Sequence, residues 1–253
     1  MGTRQARTIG IEGIDVHVEE RGAGEPLLLL HGLTGIGADW AHVFDLDELA
    51  TRYRVIAPDA RGHGRSTNPT GDFTFRRCAL DVIALLDHLG VERTCAIGTS
   101  LGAKTLLHVA TEAPGRVTKM VLVSPTPRFP EATHALFRAA AEAEHSAEEW
   151  AAMRERHMQG DAQIAALWQL PARFADDPVD MRFTADRLRP VTAETLIVAG
   201  DRDPLYPVEL AVELYRMMSR ASLWVVPGGG HGPIFDTHRE RFAERALAFL
   251  RAG

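Results

Sequence analysis

Apolar residues along this chain follow two alternating rhythms. Short, nearly uninterrupted runs at Leu27 to Leu30, Val55-Ile56-Ala57, Cys95-Ala96-Ile97, Val117 to Val123, Thr195 to Ala199 and Leu223 to Val226 read as buried strands. Between them, apolar residues return every three or four positions in Trp40 to Tyr53, Phe75 to Leu89, Leu101 to Ala110, Val208 to Ser219 and Thr237 to Leu250, which predicts helices. The amino end differs: Arg7 to Ile11 and Ile14 to Glu19 alternate apolar and polar residues around Glu12-Gly13, the pattern of a hairpin on a sheet edge. Apolar strands separated by helices specify an α/β protein with a parallel sheet covered on both faces.

From Arg128 to Pro190 the alternation breaks. This segment is rich in Ala, Glu, Arg and Met, with helical patterns at Pro130–Glu144, Ala147–Met158, Ala162–Phe174 and Asp180–Leu188 and no strand. It reads as an inserted helical lid, residues 128–190, in a core made of residues 1–127 and 191–253.

Composition narrows the function classes. With 253 residues, 45% of them apolar, the chain can bury one large core. A net charge of −6 and the absence of any Lys/Arg run argue against a nucleic-acid partner, and the lysines are Lys104 and Lys119 alone. The early apolar run Leu27 to Leu30 is too short for a membrane span or a signal peptide, so the expected location is cytoplasmic, with no membrane partner. Cys78 and Cys95 are too few for a disulfide framework or a metal site and are expected to be buried thiols. Nothing in the sequence specifies an oligomeric state.

In a parallel sheet, ligands bind beyond the carboxyl ends of the strands. That edge receives the loops His31–Gly37, Asp59–Ser66, Gly98–Gly102, Ser124–Arg128, Gly200–Pro207 and Gly228–Pro233. Among them, Gly98-Thr99-Ser100-Leu101-Gly102 joins a strand directly to a helix, a turn that holds a serine hydroxyl outward at a helix N-terminus. A phosphate loop is the rival reading of Gly98 to Thr105. It fails because Ala103 stands where that loop needs glycine, and because Val121-Leu122-Val123 is followed by Ser124-Pro125 rather than a magnesium-binding carboxylate.

A nucleophilic serine needs a base, and the base needs an orienting group. Of eleven histidines, His17, His42, His88, His108, His134, His145, His157 and His238 fall in predicted elements, where packing or surface roles are the default. His31 and His63 sit in Gly-rich loops and are expected to hydrogen-bond their own loops. His231 follows Gly228-Gly229-Gly230 after a strand, so a flexible approach brings its imidazole over the sheet edge. For the orienter, Asp203 is preferred because it lies further around the turn and is held by Pro204; Asp201, able to pair locally with Arg202, is the alternative.

Taken together, five motifs in order make the chain resemble the α/β-hydrolases over almost its whole length. They are His31-Gly32, Asp59-Ala60-Arg61-Gly62-His63-Gly64-Arg65-Ser66, Gly98–Gly102, Gly200-Asp201-Arg202-Asp203 and Gly230-His231-Gly232. The resemblance implies a mostly parallel sheet of about eight strands with helices on both faces and an inserted helical lid. It also implies Ser100 as nucleophile, His231 as base, Asp203 as acid and the backbone N–H groups of Leu33 and Leu101 as oxyanion hole, with no metal or organic cofactor. The family's other acid position holds Ser124-Pro125-Thr126, and the family uses Asp59 to Ser66 as a structural loop.

The elbow residue is serine, whereas family dehalogenases and epoxide hydrolases have aspartate there. The elbow also differs from the Gly-Gly-Ser-Trp-Gly of proline iminopeptidases, and Gly232-Pro233-Ile234-Phe235-Asp236 lacks the Trp that usually follows the histidine of carbon–carbon bond hydrolases. The expected substrate is therefore a small carboxylic ester. A lactone, as in the enol-lactonases, is the alternative, followed by carbon–carbon bond hydrolysis and non-catalytic ligand reception. Bulky apolar lid residues, Leu136, Phe137, Met153, Met158, Leu167, Trp168 and Phe174, are expected to face the substrate, and Trp40 either walls the site or packs in the core.

Overall fold

The computed structural model describes residues 4–176 and 179–251; residues 1–3, 177–178 and 252–253 of the segments delimited above lie outside the described residues. Eight strands form one sheet: β1 (Arg4–Ile11), β2 (Ile14–Arg21), β3 (Glu25–Leu30), β4 (Tyr53–Pro58), β5 (Thr94–Thr99), β6 (Val117–Val123), β7 (Glu194–Gly200) and β8 (Ala221–Val226). Their spatial order is β1-β2-β4-β3-β5-β6-β7-β8. β1 and β2 are antiparallel, β2 runs antiparallel to β4, and every other pairing is parallel.

The uninterrupted apolar runs are explained by two separate cores. Side chains of a strand point alternately to opposite faces, so Leu28 and Leu30 join a cluster on one side while Leu27 and Leu29 join a cluster on the other, all four buried. The first face is covered by α2 (Phe75–His88), α3 (Leu101–Glu112) and α8 (Val208–Met217). The second is covered by α1 (Leu46–Ala50) and α9 (Arg239–Arg251).

Between β6 and β7 run α4 (Glu131–Glu142), α5 (Ala147–Arg156), α6 (Asp161–Asp176) and the single turn α7 (Ala185–Leu188). Two predicted helices are shorter than their periodicity suggested. Trp40 to Tyr53 splits into a 3₁₀ turn, Gly37–His42, and α1, because the Asp45 carboxylate accepts from the N–H groups of Asp47 and Glu48 and restarts the helix there. Asp180 to Leu188 is helical only over α7. Asp180 instead caps a different helix, its carboxylate accepting from Phe75 N–H at 2.5 Å and Arg76 N–H at 3.2 Å, where the α2 dipole favours negative charge. Cys78 is buried as expected, while Cys95 is only partly covered. Among the described residues no helix is long and apolar enough to cross a membrane.

Candidate active site

The Ser100 turn is built by what its glycines lack. A Cβ on Gly98 would lie 2.5 Å from the Gly102 carbonyl, and one on Gly102 would lie 2.2 Å from the Leu30 oxygen, so only glycine lets strand, turn and helix come this close. Ser100 itself takes φ 50° and ψ −104°, a left-handed conformation that costs a side-chain-bearing residue about 1–3 kcal/mol. Its N–H donates to Val123 O at 2.8 Å, which ties the strained residue to the neighbouring strand.

Three side chains from three loops meet here. Ser100 Oγ lies 2.8 Å from His231 Nε2, and His231 Nδ1 lies 2.8 Å from Asp203 Oδ2. With the Asp203 carboxylate accepting, the proton of neutral His231 sits on Nδ1 and the lone pair on Nε2 faces the serine hydroxyl. Asp203 Oδ1 accepts from the backbone N–H groups of Leu205 at 2.8 Å and Tyr206 at 3.1 Å. Burial works against its ionised form, but the hydrogen bonds from His231, Leu205 and Tyr206 outweigh burial and hold the carboxyl below its ordinary range. Asp201 does not compete for the imidazole, nor does it pair with Arg202 as anticipated: its Oδ1 accepts from Gly228 N–H at 2.6 Å and pins the loop that leads to His231. That loop packs against β7 only because residue 200 is glycine, where a Cβ would meet Gly229 O at 2.2 Å.

Leu33 and Leu101, the residues expected to supply the oxyanion hole, both line the pocket that contains Ser100 and His231. Leu101 is the first residue of α3, so its N–H has no acceptor within the helix. The loop carrying Leu33 is braced by two histidines. His31 Nδ1 bonds Gly32 O at 2.7 Å and His31 Nε2 accepts from Ala60 N–H at 2.9 Å, which extends the own-loop role expected for it. His157 Nε2 bonds Thr34 O at 3.1 Å and its Nδ1 accepts from Gly64 N–H at 2.9 Å, so a residue read as packing joins both loops to α5. His63 bonds its own loop at Arg61 O, 3.0 Å away. Asp59 accepts from Gly37 N–H and Arg65 N–H, and in this way fixes the loop that follows β4.

The pocket has a volume of about 380 Å³, within the range of small-molecule sites. Phe137, Met153 and Phe174 line it, one each from α4, α5 and α6. The other expected wall residues lie elsewhere. Leu136 is 44% exposed, because Phe137 takes the inward position and its neighbour points a helical step away. Met158 follows the end of α5 and is exposed, and Leu167 is buried and lines a different pocket, one that Phe73 and Asn68 also line. Trp168 stacks on His145 at 3.6 Å and meets Trp150 edge-on at 4.6 Å. Trp40 is a core residue, 2% exposed and stacked on Phe44 at 5.9 Å.

Several lining residues escaped the sequence reading: Phe75, Lys104, Arg156, Leu205 and Tyr206. The rings of Tyr206 and His231 meet edge to face, their centres 5.2 Å apart. Burial and then Asp203 push its phenol upward, so it stays protonated. Its place three residues after Asp203 was the available signal. Ser124 was passed over too, although its Oγ accepts from Gly232 N–H at 2.9 Å and so holds the residue next to His231.

The model of the α/β hydrolase family matches residues 27–245, and the chain belongs to that family. Over 274 aligned residues it is 29% identical to a protein of Synechocystis sp. that carries the name of a non-heme chloroperoxidase, covering 96% of this chain and 99% of the relative. It is also 29% identical over 269 residues to the 2-hydroxymuconate semialdehyde hydrolase of a Pseudomonas species, with 96% and 93% covered. The solved structure of a thermophilic esterase from Thermogutta terrifontis superimposes with a TM-score of 0.75 at 23% identity, over 99% of this chain and 98% of that one, a likeness of fold.

Proposed function

We propose that this member of the α/β hydrolase family is a serine hydrolase that cleaves small carboxylic esters through an acyl-enzyme. Support comes chiefly from one observation, the continuous hydrogen-bonded line from Ser100 Oγ through both nitrogens of His231 to Asp203, at a pocket of small-molecule size. In this reading Ser100 Oγ attacks the ester carbonyl carbon as its proton passes to His231 Nε2. The carbonyl oxygen becomes an oxyanion and is met by the N–H groups of Leu33 and Leu101. Collapse of the tetrahedral adduct breaks the bond to the alcohol oxygen, which takes the proton from His231 as it leaves. Water then repeats the attack on the acyl-serine, again giving its proton to His231, and the acid is released with Ser100 restored. Asp203 stays ionised throughout, holding the imidazole tautomer and stabilising the imidazolium. Helices of the 128–190 segment act as a lid that keeps water away while the oxyanion forms.

The test is turnover of p-nitrophenyl esters by the pure protein. Activity should peak at short acyl chains and be abolished in Ser100→Ala without loss of fold. A serine-directed phosphonate should label Ser100 alone. Persisting activity in Ser100→Ala would end the reading. Carbon–carbon bond hydrolysis is a second reading, favoured by the name of the Pseudomonas relative; it predicts that a 2-hydroxy-6-oxo-dienoate is consumed faster than any ester.

A further inference from the structure

One charged group in the pocket has no part in the mechanism above. Lys104 is 3% exposed and lines the same cavity as Ser100. Its Nζ donates to the Tyr206 hydroxyl at 3.1 Å, and the rings of Tyr206, Phe75 and Phe129 surround it at 4.9, 5.4 and 5.8 Å. Aromatic faces stabilise an ammonium but use none of its N–H donors. Among the described residues no carboxylate forms an ion pair with it. Asp203, the one acidic group that acts on it, is bonded to His231 and to two backbone N–H groups. Arg156, the other cation of the pocket, is paired with Asp39. Among the described residues the Tyr206 hydroxyl is thus the hydrogen-bond partner of the Lys104 ammonium, which lies beside a cavity with donors to spare.

We propose that Lys104 is the specificity residue of this site, binding a carboxylate carried on the acyl chain, so that the preferred substrates are half-esters of short dicarboxylic acids. This deepens the ester-hydrolase reading and rests on it. Lys104 lies in the first turn of α3, its N–H donating to Ser100 O at 3.0 Å, and both residues line the one cavity. An acyl group attacked by Ser100 would occupy the cavity that Lys104 also lines. A lysine is suited to the task because burial pushes its ammonium down to about 7, partly opposed by Asp203; an arriving carboxylate restores the charged form.

The experiment compares mono-p-nitrophenyl adipate with its uncharged isostere, p-nitrophenyl 6-methylheptanoate, on the full chain. Wild type should favour the charged ester by about 10- to 100-fold in kcat/KM, the range expected of a charge-assisted hydrogen bond. Lys104→Met should erase the difference and Lys104→Arg keep part of it. Independently, calorimetry on Ser100→Ala should show monomethyl adipate binding at pH 8 with uptake of a proton, read from buffers of different ionisation enthalpy. Both signals should vanish when Lys104→Met is added. Equal rates on the two wild-type substrates, or a preference that survives Lys104→Met, would overturn the proposal, and the wild-type comparison needs no variant to fold. If neither ester turns over while Lys104-dependent binding with proton uptake persists, the hydrolase reading falls and the Lys104 site stands.

Discussion

Ser124→Ala isolates one contact in the proposed machinery. Ser124 follows β6, is 2% exposed and sits at φ 49°. Its N–H donates to Val198 O at 2.8 Å, and its Oγ is the acceptor for Gly232 N–H at 2.9 Å. Alanine has the same left-handed strain as serine, so the backbone term cancels and the lost acceptor remains. Leaving this partly buried N–H unpaired costs about 1–2 kcal/mol, which for a chain of 253 residues lowers Tm by roughly 2–8 °C. If that free energy is what seats the residue beside His231, kcat falls by about 5- to 30-fold while KM stays nearly constant, since Ser124 does not line the pocket. Ser124→Gly is the control. Relief of the left-handed strain, about 1–3 kcal/mol, is offset in part by the extra flexibility of glycine, about 0.5–1 kcal/mol, so its stability should equal or exceed that of the alanine variant while its kcat falls alike. Thermal melts and steady-state kinetics on p-nitrophenyl butyrate measure both quantities. A lowered Tm with wild-type kcat would refute the coupling of this hydrogen bond to His231.

Asp203→Asn should cut kcat by about 10⁴-fold, the loss expected when the imidazole tautomer is no longer enforced, whereas Asp201→Asn should leave kcat within a few-fold of wild type; the reverse result would make Asp201 the orienter. Acid should destabilise the fold through His157, which burial pushes down to about 4. Between that value and about 6.5, the ordinary histidine value, the unfolded chain binds a proton that the folded chain refuses, so stability rises with pH across this window and is lost as pH falls through it. The buried His157 should contribute on the order of 2 kcal/mol to that loss. Urea unfolding at pH 7 and pH 4.5 checks it: His157→Gln should show a shallower pH slope than wild type, and an unchanged slope would refute the assignment.

Elements were legible wherever pattern and burial share a cause. The fully apolar strands read correctly because both sheet faces are covered, and Gly98, Ser100 and Gly102 could be placed because a close approach of backbones leaves a glycine signature. His231 and Asp203 emerged by their position after strands, and the structure brings both to Ser100. The segment 128–190 was harder. Periodicity gives a helix an apolar face but not its partner: Phe137 and Trp168 have similar sequence surroundings, yet one lines the pocket and the other stacks on His145. Lys104 was noticed in the sequence only as part of an incomplete phosphate loop, although its place in the first turn after Ser100 put it close to the nucleophile. Ser124 carried no local signal at all, because a left-handed serine is a consequence of the strands around it.

That consequence explains how the site keeps its geometry. Ser100 and Ser124 follow neighbouring parallel strands whose last residues, Thr99 and Val123, are register partners. Each serine lies in the left-handed region, at φ 50° and 49°, and each donates its N–H at 2.8 Å to the next strand over, Ser100 to Val123 O and Ser124 to Val198 O. The sheet ladder thus runs one residue past both strand ends before the chain turns. One turn aims a hydroxyl at His231 Nε2, and the other holds the backbone beside that histidine. Strain of about 1–3 kcal/mol at each serine is sustained by the most buried part of the molecule rather than by its loops. The separation of Ser100 and Ser124 is therefore set by adjacent strands, about 4.8 Å apart, and the Ser124 hydroxyl in turn fixes Gly232, the residue after His231, relative to Ser100.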